Sequence, residues 1–157
     1  MSRTFADFKP GDELVSATYT VTGEEIVAFA KQFDPQPAHL DDEAGGESLL
    51  GGLAASGWQT AAISMRLFVE VMNVGVGMIG VAVDELRWPK PVRPDDQLRV
   101  EIEILETRLS EKRPGFGVLR YRSLTRNQDD EVVQSFCATA ILSAGAGDSL
   151  GEKQPGQ

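Results

Sequence analysis

Residues 58–72, WQTAAISMRLFVEVM, constrain the fold more than any other stretch of the chain. On a helix of 3.6 residues per turn, Gln59, Arg66 and Glu70 fall in one narrow stripe, and most of the remaining circumference is apolar or small. A helix with so little polar surface is buried by other elements rather than laid on the outside of a domain. The sequence therefore predicts one central helix from Gly57 to about Met72, introduced by the small, glycine-rich run GGLAASG, residues 51–57.

The material to wrap it follows directly. MIGVAVDELRW, LRVEIEILETR, FGVLRYRSLTR and EVVQSFCATAIL are four β-type segments in succession. The second alternates cleanly, with Leu98, Val100, Ile102 and Ile104 on one side and Arg99, Glu101 and Glu103 on the other. The links between segments carry prolines and polar turn formers. Upstream, ELVSATYTVT (13–22) reads as a first strand. Thr22 and Glu25 have capping-box spacing, and Ile26, Phe29, Ala30 and Phe33 share one face of the helix they open. Pro35 ends that helix near Asp34, and Asp41 is placed to cap a short second one. The order gives a single α+β domain over residues 1–142, a sheet packed on one long helix. The tail, 143–157, lacks apolar residues and is expected to be disordered.

A chain of 157 residues fits one domain, and a net charge of −9 argues against a nucleic-acid partner, which needs a basic face. No segment has the length and apolarity of a membrane span, and the first residues lack the apolar core of a signal peptide. With one cysteine, Cys137, read as a small core residue, the expectation is a cytoplasmic protein. No His/Cys cluster suits zinc and no glycine-rich phosphate loop follows a strand, so neither a metal nor a redox cofactor is expected.

The only histidine, His39, lies in FDPQPAHLDDEA (33–44), five residues after Asp34 with two prolines between them. One reading makes Asp34 a helix-terminal residue and His39 an exposed loop residue beside Asp41 and Asp42. The other makes them an acid/base pair around one water, since imidazole titrates near working pH and the prolines would hold the pair in register. The amide of Gly57, at the start of the central helix, could stabilise a developing oxyanion. The glycines and alanines before it could equally serve close packing alone. Spacing leaves both readings open.

Phe29-Ala30, Asp34, Gln36-Pro37-Ala38-His39, Asp41, Gly51-Gly52, Ala54 and Ser56-Gly57 resemble the signature of the MaoC-like dehydratases, the (R)-specific enoyl-CoA hydratase group. WPKPVRPDDQLRVEIEI is similar to their strand–turn–strand segment. The resemblance, over about residues 10–142, implies a hot-dog fold: an antiparallel sheet wrapped around one long helix, assembled as a homodimer or a higher even oligomer. It implies that Asp34 and His39 are catalytic and that Gly57, with Ser56 beside it, forms the oxyanion and substrate-binding position. The implied reaction is reversible hydration of a trans-2-enoyl-CoA to an (R)-3-hydroxyacyl-CoA, with His39 as base on the water and Asp34 as proton donor to Cα, or the reverse. Coenzyme A enters as part of the substrate, an acyl-CoA thioester, and no separate cofactor is implied. Arg87, Lys90 and Arg93, around the WPKPVRP turn, are candidates to meet its phosphates, with ordinary solvated charges as the alternative. Arg120 and Arg122 share a strand face that could be a further phosphate patch or simply solvent-facing.

Three positions depart from the pattern. Gln36 stands where members often have Asn, Ser56 where they often have His, and Met65 where some hydratases carry a supporting serine, with Ser64 adjacent. Two other activities remain compatible with such a fold: an acyl-CoA thioesterase using Asp34 on water, and a non-catalytic acyl-thioester binding module.

Overall fold

The computed structural model describes residues 1–75 and 77–144; the expected disordered tail lies outside them except for Ser143 and Ala144. The elements run β1 (Glu13–Val15), β2 (Tyr19–Thr20), α1 (Gly23–Phe33), α2 (Asp42–Glu47), α3 (Gly57–Met72), β3 (Ile79–Arg87), β4 (Gln97–Leu109), β5 (Phe116–Arg126) and β6 (Val132–Ser143). The strands form one antiparallel sheet in the order β1-β4-β5-β6-β3, with β2 also on β4. This is a hot-dog fold: the long helix α3 lies in the concave face of the sheet.

The segment 13–22 is two short strands, not one. At the break Ser16 Oγ accepts the amide of Val100 at 2.8 Å, so a side chain takes over one rung of the ladder. Thr22 and Glu25 form the expected capping box, and α1 ends at Phe33 with Asp34 as its C-cap. Its apolar face is buried at Ile26 and Ala30 only. Phe33, on the last turn, is 65% exposed and meets Phe29 at a tilt of 50°. Asp41 caps α2 by accepting from the amides of Glu43 and Ala44.

β4 alternates as its sequence predicts. Leu98, Val100, Ile102 and Ile104 are buried against α3, while Arg99, Glu101 and Glu103 face outward. On that outer face Arg126 pairs with Glu101, Arg122 with Glu103 and Arg120 with Asp84, so the basic strand face is a lattice of ion pairs. Cys137 is buried, as expected.

The central helix is covered on one side only. Gln59, Thr60, Ile63, Ser64, Leu67, Phe68 and Met72 are buried, and Phe68 stacks on Tyr121 of β5 with ring centroids 4.7 Å apart. Trp58, Met65 and Val69 on the opposite side are exposed, as are Ile79, Val81 and Val83 of the edge strand β3. Apolar periodicity identifies a helix that is to be buried; it does not say that a single chain does all the covering. Among the described residues no helix is long and apolar enough to cross a membrane.

Candidate active site

Helix α1 delivers Asp34. Its amide closes the helix on Ala30 O at 3.0 Å, and Pro35 then forces the chain out of helical geometry. Residues Pro37–His39 form a single 3-10 turn, bonded from His39 N to Gln36 O at 2.9 Å, which turns the imidazole back toward the carboxylate. His39 is buried, and its Nε2 lies 3.5 Å from Asp34 Oδ2. The loop reading of His39 as an exposed residue therefore fails.

The second ring nitrogen fixes the tautomer. Nδ1 sits 2.7 Å from the carbonyl oxygen of Ala54. A carbonyl only accepts, so Nδ1 carries the proton and, in the neutral ring, Nε2 is the free acceptor facing Asp34. The loop presenting Ala54 is itself pinned. Arg93 donates to the carbonyls of Leu50 and Leu53, Ala54 N reaches Ala38 O, and Ala55 N bonds Val92 O. Gly45 backs directly onto this loop, where a β-carbon would lie 2.4 Å from the backbone of Gly52.

Asp34 is held at both oxygens. Ser56 Oγ donates to Oδ2 at 2.6 Å, and Gln36 Nε2 donates to Oδ1 at 2.8 Å. These two bonds, that from Ser56 first, keep the carboxyl below its ordinary pKa, and partial desolvation does not outweigh them. At neutral pH Asp34 is a carboxylate.

Four of the seven residues singled out from sequence, Asp34, His39, Gly57 and Lys90, line one cleft of about 410 Å³, together with Thr60, Trp58 and Trp88. Ser56 does not line it. It is fully buried at the N-cap of α3, donates to Asp34 and accepts the amide of Trp58, which corrects the expectation that it meets substrate. Arg93 donates from Nη1 and Nη2 to the carbonyls of Leu53 and Leu50 and lies outside the cleft lining. Lys90 pairs with Glu131 on the rim, and Arg87 is exposed at the end of β3, outside the cleft lining. Ser64 bonds Thr60 O and Thr125 Oγ1 at 2.7 Å each, and Met65 faces outward; neither supports the pair, and Ser56 does so instead.

Trp88 is the cleft residue that pattern reading missed. Its indole packs on Gly57, where a β-carbon would lie 2.6 Å from the ring, and meets Trp58 edge-on at 5.2 Å. Gly57 is thus required by close approach. Its signal in the sequence is the aromatic residue that opens WPKPVRP, ahead of the basic ones. Among the described residues no three His, Cys, Asp or Glu side chains converge as a metal site requires.

The model of the MaoC-like domain matches residues 7–126, most of the chain. This protein belongs to the MaoC-like family. YdeM of Bacillus subtilis (strain 168), an uncharacterized protein, is 34% identical over 125 residues, covering 79% of this chain and 87% of its own length. The crystal structure of the MaoC-like dehydratase from Rhodospirillum rubrum superposes with a TM-score of 0.86 at 45% identity, covering 90% of this chain and 97% of that one. The unliganded R-hydratase PhaJ1 from Pseudomonas aeruginosa shares the fold, with a TM-score of 0.73 at 23% identity over 98% of this chain and 95% of its own. This MaoC-like chain thus has the family's hot-dog architecture, and the Asp34–His39 cleft lies inside the matched region.

Proposed function

We propose that this protein hydrates trans-2-enoyl thioesters reversibly to (R)-3-hydroxyacyl thioesters, with Asp34 and His39 acting on one water. The observation that carries the reading is that Asp34 Oδ2 and His39 Nε2, the acceptor nitrogen of the tautomer set by Ala54 O, lie 3.5 Å apart at the wall of a cleft that also exposes the first residue of α3. A water donating one hydrogen to each acceptor has its oxygen lone pair turned toward substrate. The thioester carbonyl oxygen takes the amide of Gly57, aided by the positive end of the helix.

As the water oxygen bonds to Cβ, the alkene electron pair moves to the thioester and forms an enolate held at Gly57. The water proton passes to His39 Nε2, and the imidazolium is stabilised by the Asp34 carboxylate. Collapse of the enolate then takes that proton onto Cα, so one water supplies both added groups. Asp34 as initial donor to Cα fits less well, because a carboxyl held ionised by Ser56 and Gln36 has no proton to give.

Lys90, at the rim, and Arg87 are proposed to meet the phosphates of the carrier, with Lys90 exchanging Glu131 for phosphate. The exposed apolar sides of α3 and β3 are proposed to meet in a homodimer. The test is a panel of trans-2-enoyl-CoA esters, following loss of the conjugated chromophore with chiral analysis of product. Formation of the (R)-3-hydroxyacyl ester supports the proposal. Release of free thiol without a hydroxyacyl product would replace it with a thioesterase, and saturable binding without turnover would replace it with a binding module.

A further inference from the structure

Beneath Thr60 and Trp88, which line the cleft, the interior between α3 and the sheet is polar before it turns apolar. Gly57, Thr60 and Ser64 are spaced i, i+3, i+7 on one face of α3, so Thr60 lies about 4.5 Å and Ser64 about 10.5 Å along the axis from Gly57. Thr60 lines the cleft and Ser64 Oγ bonds its carbonyl. Thr125 of β5 meets this stripe at Ser64, and Ser123 of β5 and Gln134 of β6 are buried with it in the sheet, Thr125 and Gln134 being direct cross-strand partners. Farther along the helix the same interface is apolar, with Leu67 and Phe68 buried and Phe68 against Tyr121.

Gln134 is the informative member. Its Oε1 accepts from Trp88 Nε1 at 2.8 Å. Indole N–H only donates, so the amide cannot be turned around and its NH2 group is fixed as a donor. That nitrogen, on a fully buried side chain, has no partner among the described residues, and neither has the hydroxyl of Ser123 on the neighbouring strand. Buried polar groups left unpaired are costly, and a site that keeps them is complete when a ligand supplies the partner. No lysine or arginine is buried among the described residues, so a carboxylate here would be an unpaired buried charge. A neutral oxygen acceptor would not.

Resting on the hydratase reading for the position of the thioester, we infer that the acyl group carries an uncharged oxygen (ether, ketone or hydroxyl) on the part of the chain that runs past Thr60. Gln134 Nε2 donates to that oxygen, and the hydroxyls of Thr125 and Ser123 line its surroundings. An unsubstituted alkyl chain at the same place leaves Gln134 unpaired.

The test compares trans-hept-2-enoyl-CoA with trans-5-methoxypent-2-enoyl-CoA, which differ by one oxygen in place of one methylene. The ether ester is expected to show at least ~10-fold higher kcat/KM, since a site built to bond an oxygen discriminates against the analogue that lacks it. Gln134→Met is expected to invert the preference. Equal or lower kcat/KM for the ether ester on the wild-type protein overturns the inference, whatever the fate of the variant. If neither ester is hydrated, the hydratase reading fails separately, and the same comparison is made on the Kd values of heptanoyl-CoA and 5-methoxypentanoyl-CoA. There, tighter binding of the ether supports the oxygen subsite and equal binding overturns it.

Discussion

Ser56 Oγ donates to Asp34 Oδ2 at 2.6 Å across 22 residues of sequence, and the same oxygen accepts the amide of Trp58 at the start of α3. One buried hydroxyl therefore caps the central helix and sets the charge of the candidate catalytic carboxylate.

Replacing it tests both roles. Ser56→Ala removes the largest cause of the lowered Asp34 pKa, so that pKa rises and the acid limb of the kcat/KM profile moves to higher pH. A depressed carboxylate stabilises the fold above its unfolded value, and this is lost as pH falls through the folded value. The variant should therefore lose less stability on acidification than the wild type. Loss of the cap should cost about 1 kcal/mol at neutral pH. An acid limb that stays in place would show that Asp34 does not govern it.

Arg93 holds the loop carbonyls that flank Ala54, the acceptor for His39 Nδ1. Arg93→Met is expected to lower kcat roughly 10- to 100-fold through a misdirected imidazole, with KM for the CoA ester little changed. A raised KM with kcat preserved, abolished on a substrate lacking the 3′-phosphate, would return Arg93 to phosphate binding.

Burial pushes the Tyr121 hydroxyl up to about 12, and a hydrogen bond to Glu25 raises Tyr19 as well. A raised folded pKa gives stability that is complete below the unfolded value, about 10, and is lost as pH rises toward the folded one. Spectroscopic titration should show Tyr121 still un-ionised at pH 10 in the folded chain, while the denaturation midpoint falls between about pH 10 and 12. In Tyr19→Phe, a phenolate signal titrating at about pH 10 without unfolding would contradict the packing of Tyr121.

Ile79, Val81 and Val83 leave β3 an exposed apolar edge. Such edges invite pairing with another chain. Sedimentation is expected to give twice the chain mass, and Val81→Asp with Val83→Asp to shift it toward the monomer. A monomeric wild type would refute the assembly.

The fold was largely legible because its elements are written in local pattern. The alternation of β4, the capping box at Thr22 and the apolar periphery of α3 each depend on neighbours in sequence. The failures share one cause, partners distant in the chain. Phe33 matches the buried periodicity of α1 yet sits past the point where anything covers it. Ser56, Arg93 and Trp88 act through Asp34, Leu50 and Gln134, at separations of 22, 43 and 46 residues that no window of sequence reveals. Spacing leaves the pairing of Asp34 and His39 open and the resemblance implies it, but the Ala54 carbonyl that orients the ring is a backbone atom and carries no residue signature.

The most direct test of the account is turnover of a trans-2-enoyl-CoA by Asp34→Asn, His39→Ala and the double variant. Each single change is expected to lower kcat at least ~10²-fold with the fold retained. Because both groups act on one water, the double variant should lose far less than the product of the two. Near wild-type turnover in either single variant, or a fully multiplicative loss in the double, would contradict a shared water between Asp34 and His39.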